Sequence, residues 1–244
     1  MIRRLPPPAL AFALVLASVP AQAAERNYSI GSFDSIRVEG PFDVRLTTKA
    51  SPGARAEGDP KITQDLDIRV EGTILIIRAG TGGWGEQPHA GAAGATIITV
   101  STAMIRRATL IGGGRLTIAG PLRGQRIDLS LSGSGSLAVS GIEADQLFVT
   151  LIGSGDIALA GKAAKVNLNT SGPGTITAAP LVASDLVLRL DGNGETHATA
   201  LYTANVTTTG MGAATVYGKP ACTVKAVAGG PISCGQQPVP LQRS

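Results

Sequence analysis

Apolar and polar residues alternate along most of this chain with a period of two, the spacing of a strand with one buried face, not the 3.6-residue period of a helix. Phe33, Ile36 and Val38, then Phe42, Val44 and Leu46, set the pattern, with Arg37, Asp43 and Arg45 between them and a Gly40-Pro41 turn. Leu66, Ile68 and Val70 predict another strand, Glu71-Gly72 a tight turn, and Leu75 and Ile77 its returning partner. Ser51 to Lys61, rich in Gly, Pro and charge, predicts a loop. Residues 32–78 therefore predict an N-terminal β segment, either a small sheet or the first irregular coils of a larger body.

From residue 96 to 234 the alternation becomes a repeat. Its phrases are IGGGRLTI, LSGSGSLAV, LIGSGDIAL, TSGPGTITA, LDGNGETHA and TTGMGAATV. The first glycine of each Gly-x-Gly stands at 112, 133, 153, 172, 192 and 210, with Ala228 in the last copy, so the spacings are 21, 20, 19, 20, 18 and 18. In register the copies form columns. Leu129 and Leu131, Val149 and Leu151, Leu168 and Thr170, and Leu188 and Leu190 precede the glycines; Leu137 and Val139, Ile157 and Leu159, and Ile176 and Ala178 follow them. Each copy reads as strand, glycine corner, strand and a short closing segment. No copy can bury its stripe alone, so neighbours must stack.

The predicted class is all-β: a single-stranded parallel β-helix or β-solenoid of ~20-residue coils with a Gly-x-Gly corner in each, preceded by the N-terminal β segment. A propeller blade needs about twice this period, and the leucine-rich phrase is absent.

Composition sharpens this picture. There are 32 Gly, 43% hydrophobic residues and only 3% aromatic ones, which suits thin stacked strands better than helix bundles. Residues 1–23 follow a different rule: Arg3 and Arg4, the apolar run Ala9 to Val19, and Ala21-Gln22-Ala23 predict a cleaved signal peptide and an exported product, periplasmic, cell-surface or secreted. The apolar run is too short for a membrane span, and no transmembrane segment is expected in the remaining domain, 24–244. Without Arg3 and Arg4, 19 basic residues face 17 acidic ones, a balance that does not point to nucleic acid. Residues 79–94 form a Gly-rich loop holding Trp84, the single tryptophan, and His89. It is a candidate binding loop, although a surface insertion without a ligand is the plainer reading. Residues 235–244 form a C-terminal tail.

Catalytic chemistry leaves little trace. Gly155 to Lys162 fails the phosphate-loop pattern: five residues separate Gly155 from Gly161, and Ala163 follows Lys162. His89 and His197 are the only histidines and are far apart, so neither a metal site nor any cofactor is predicted. Asp156 and Glu195 take equivalent places two coils apart, with Asp191 and His197 near Glu195. They support an alternative reading as a polysaccharide lyase or hydrolase. The register sets Cys222 and Cys234 in inward columns across one coil, beside Ala204 and Val216 of the copy before. A disulfide is the expectation, with two buried thiols the alternative.

The phrase Phe33-x-x-Ile36-x-Val38-x-Gly40-Pro41-Phe42-x-Val44-x-Leu46, the later Leu75-x-Ile77 and the Gly-Ser-Gly repeats resemble the head GIN domain of the putative auto-transporter adhesins, a domain of unknown function. The resemblance covers nearly all of the chain after residue 32. It implies a β-helical fold and a cell-envelope or secreted setting, and transfers no catalytic residue. The expected function is thus a non-catalytic, adhesin-like or structural role. The outward faces carry Asp128, Ser130 and Ser132, then Asn167, Asn169 and Ser171, then Asn205, Thr207 and Thr209, a polar surface able to hydrogen-bond a glycan or another envelope protein, although a solvated sheet face is the plainer reading.

Overall fold

A computed structural model describes residues 24–80 and 96–236. The expected signal peptide 1–23 and the candidate loop residues Trp84 and His89 lie outside the described residues. In chain order the elements are β1 (Ala24–Tyr28), β2 (Ser35–Glu39), β3 (Asp43–Thr47), β4 (Gly53–Gly58), α1 (Pro60–Asp65), β5 (Leu66–Glu71), β6 (Ile74–Ala79), β7 (Ile97–Ser101), β8 (Arg107–Ile111) and β9 (Arg115–Ala119). Longer strands follow: β10 (Leu122–Ser132), β11 (Ser136–Ile152), β12 (Asp156–Ser171), β13 (Thr175–Asp191) and β14 (Glu195–Thr208). The chain then forms β15 (Ala213–Gly218), β16 (Ala221–Ala226) and β17 (Ile232–Gln236).

The long strands bend around the body, so each serves more than one side of a coil. An entry face, made of the strands that lead into the glycine corners, stacks β6, β2, β8, the closing parts of β10 to β14, and β16, all parallel. An exit face, made of the strands that leave the corners, stacks β7, β3, β9, the opening parts of β11 to β14, then β15 and β17. Residues such as Leu122, Ile142 and Ala163 close the third side. The chain is a parallel β-solenoid.

Inward side chains stack on their equivalents. Leu131 pairs with Leu151, Leu168 with Leu188, and Ile157 with Ile176, all buried. Burying a leucine of this kind contributes about 1.5–3 kcal/mol. One column on the exit face runs Leu137, Ile157, Ile176, Thr196, Ala214 and Ile232, with smaller side chains in two of its later coils.

Two glycine requirements shape each corner. Gly153 has φ of 114°, a left-handed conformation that side chains resist. Gly155 is needed for space: a Cβ there would meet Leu131 Cδ2 at 2.8 Å and run into the Gly135 carbonyl oxygen of the preceding coil. The corners also carry the ladder, with the Gly155 amide donating to the Gly133 carbonyl at 3.0 Å.

The N-terminal part departs from sequence order. The β2–β3 coil lies between the β6–β7 coil and the β8–β9 coil: Ile36 pairs with both Leu75 and Ala108, and Val44 with both Ile98 and Leu116. Antiparallel strands then close this end, β5 on β6, β4 on β7, and β1 on β4. The loop expected at 51–61 is replaced by β4 and the start of α1. Ala54 and Ala56 are buried while Arg55 points outward to Glu25 and Glu57; an alternation made of alanines is too weakly apolar to read as a strand. α1 is held from β1, with Arg26 donating to the Thr63 and Gln64 carbonyls and Tyr28 Oη to the Thr63 carbonyl.

At the other end Cys222 and Cys234 are disulfide-bonded, with Cα atoms 6.4 Å apart. They stand beside Ala204 and Val216 in the ladders. Cys222 is exposed all the same, because no further described coil covers this one.

Candidate functional site

Along the entry face, residues between the buried leucines point outward and line up from coil to coil. The third residue before each corner forms the column Ser130, Thr150, Asn169, Arg189, Thr207 and Lys225. The residue just before each corner forms a second, with Ile152, Ser171, Asp191 and Thr209. Thr150, Asn169, Arg189 and Thr207 of the first column and the four of the second line an open depression of about 310 Å³, and Lys225 continues the first column beyond it. A similar hollow of about 300 Å³ on the exit face is floored by small side chains, among them Ala138, Ala158 and Thr177.

Charge on the entry face divides along the stack. In its N-terminal half three arginines are held by carboxylates. Arg37 pairs with Glu39, while Asp128 takes both Arg126, at 3.0 Å, and Arg107, at 3.7 Å. Hydrogen bonding to Asp128 pushes the Arg126 guanidinium above its ordinary range, and that group also lies 4.2 Å from the centre of the Phe148 ring. In the C-terminal half, Asp191 accepts from Thr209 Oγ1 at 3.0 Å. Among the described residues, Arg189 and Lys225 have no side-chain hydrogen bond or ion pair. Neither cation stood out in the sequence, although their shared place three residues before the corner was readable there.

Asp156, Thr175 and Glu195 share one outward column at the start of the exit face, so two coils separate the carboxylates and a threonine lies between them. Asp191 lies across the corner, on the entry face. All three carboxylates are exposed. Glu195 is engaged by His197 Nε2 at 2.9 Å, and His197 stacks against Tyr217 with ring centroids 6.3 Å apart. An acid that protonates a leaving group is commonly kept neutral by an apolar pocket, and these positions provide none. Among the described residues there is no group of three or more His, Cys, Asp or Glu placed to hold a metal ion, and no helix long and apolar enough to cross a membrane.

Solved structures share this architecture. An adhesin from Bacteroides fragilis, named putative, superposes with a TM-score of 0.79 at 19% identity, over 87% of this chain and 97% of that one. A protein from Parabacteroides distasonis named a putative lipid binding protein gives 0.72 at 20% identity, over 88% and 97%. At such identities the likeness establishes the fold alone. No curated protein is similar to the chain in sequence. The model of one family matches residues 32–220, most of the chain, and the chain belongs to that family, the putative auto-transporter adhesin, head GIN domain.

Proposed function

We propose that this chain is an exported, non-catalytic binding protein of the bacterial cell envelope, and that it holds a glycan on its entry face. The observation that carries this is the depression over Thr150, Asn169, Arg189 and Thr207, where aligned hydroxyl, amide and guanidinium groups face solvent on a rigid stack. Sugars are recognised by such hydrogen-bonding groups, and a solenoid repeats them at a regular spacing. The leader at 1–23 and the disulfide both suit an oxidising compartment. The family name speaks for adhesion, and the exposed carboxylates speak against turnover. One structural neighbour is named a putative lipid binding protein, which makes a lipid the competing ligand class.

A glycan array followed by a reducing-end assay tests this reading. Retention of a glycan without release of new reducing ends supports it. Release that disappears in Asp156→Asn with Glu195→Gln would replace it with the enzyme reading. Failure to retain any glycan, with retention of a purified envelope protein instead, would move the function to protein contact.

A further inference from the structure

Resting on the glycan reading above, we infer that the entry face selects a carboxylated sugar chain, a β-1,4-linked uronate, and that Arg189 and Lys225 each bind one of its carboxylates. The two cations occupy one outward column, in register through Thr207, which separates them by a single strand. Adjacent strands lie about 4.8 Å apart, so their backbone positions are roughly 10 Å apart along the stack. A β-1,4 ribbon of pyranoses turns each sugar over relative to the last, and carboxylates on one side recur at every second sugar. That recurrence is comparable with two strand spacings. A chain laid along the stack would thus meet a cation, a hydroxyl and a cation in turn, and Asn169 and Thr150 continue the column with neutral groups for further sugar hydroxyls.

The charges elsewhere on this face direct the acid to this stretch. Arg107 and Arg126 are already occupied by Asp128, and Arg37 by Glu39, so on these N-terminal strands the outward arginines that β2, β8 and β10 carry are already neutralised. Asp191 stands two residues along the strand from Arg189, is bound by Thr209, and repels a carboxylate from the corner side of the groove. The ligand's acid groups are thereby directed to the Arg189 and Lys225 column. The guanidinium presents two parallel N–H donors that match a carboxylate, whereas the ammonium acts as a point charge. Both cations are exposed, so the attraction is screened by salt.

Isothermal titration of the full mature chain with oligomannuronate at low salt tests the inference, with a cello-oligosaccharide of equal length as the uncharged chain of the same linkage. The expected result is binding of oligomannuronate, weakening as salt rises, and at least a tenfold loss of affinity in Arg189→Gln with Lys225→Gln at an unchanged melting temperature. Equal affinity for both sugars, or oligomannuronate binding that survives the double substitution, overturns the acidic ligand and leaves the glycan reading standing. Binding of neither sugar overturns the uronate chain, while retention of some other glycan on the array keeps the broader reading.

Discussion

Thr170 and Thr196 face each other inside the solenoid, their hydroxyl oxygens 3.3 Å apart and both side chains buried. Thr170 sits in the ladder between Leu151 and Leu190, and Thr196 between Ile176 and Ala214, so each hydroxyl has apolar side chains above and below it. Each satisfies the other. Thr170→Val alone leaves the Thr196 hydroxyl buried without its partner and is expected to cost about 1–3 kcal/mol. Thr170→Val with Thr196→Val removes both polar groups at nearly the same shape and is expected to cost less than either single change. Urea unfolding of the three variants gives the coupling directly, and additive losses would contradict it.

Gly155 is expected to tolerate no side chain. Its Cβ would press on backbone of the coil before, which cannot retreat without breaking the corner ladder. Gly155→Ala should lower stability by more than about 2 kcal/mol, a value kept for steric strain and overpacking. Ser154→Ala, at the exposed tip of the same corner, should stay within about 0.5 kcal/mol. Thermal melts of the pair distinguish corner crowding from a general sensitivity of the loop.

The disulfide closes a segment whose ends are 12 residues apart in sequence, and constraining a loop of that size stabilises by about 3 kcal/mol in the chain-entropy model. In a solenoid each coil touches only its neighbours, so the loss should remain local. Cys222→Ser with Cys234→Ser is expected to speed hydrogen exchange in β16 and β17 while β10 to β12 keep their protection. Uniform loss of protection along the stack would show that the last coil supports the whole body.

Asp67 ties the N-terminal cap together. Burial acts to raise its carboxyl, but hydrogen bonds and charge from Arg78 and Arg69 outweigh that and hold it below the usual carboxylate range. A lowered folded value contributes stability that is fully present above the unfolded value, about 3.9, and is lost as pH falls through the folded one. The wild-type advantage over Asp67→Asn should therefore be constant near neutrality and shrink below about pH 4. Denaturation midpoints at neutral and acid pH check the sign.

Much of the fold was legible because its information is local and repeated. Gly112, Gly133, Gly153, Gly172 and Gly192 each need a left-handed backbone, and a requirement that recurs every coil shows as a period in a single chain. Columns such as Leu129, Val149, Leu168 and Leu188 follow from the same spacing, since a stripe that must stack has to be in register. The family resemblance rested on the phrase from Phe33 to Leu46 and on Leu75-x-Ile77, with the Gly-Ser-Gly repeats beside them, and the match over 32–220 agrees with it.

Other features depended on choices among partners that the alternation leaves equal. Ile36 could pair with any apolar strand, and insertion of its coil between those of Leu75 and Ala108 is decided by the assembled stack. β4 escaped notice because Ala54 and Ala56 offer too little apolar surface to announce a strand until β1 and β7 flank it. The candidate site obeys the same division. The sequence alone shows that Arg126 and Arg189 can both lie on an outward face. Arg126 and Asp128, two residues apart on one strand face, could be paired from the sequence, but only the stacking of coils brings Arg107 to Asp128 while leaving Arg189 open to solvent, because a salt bridge between coils is made by register in space and not by nearness along the chain.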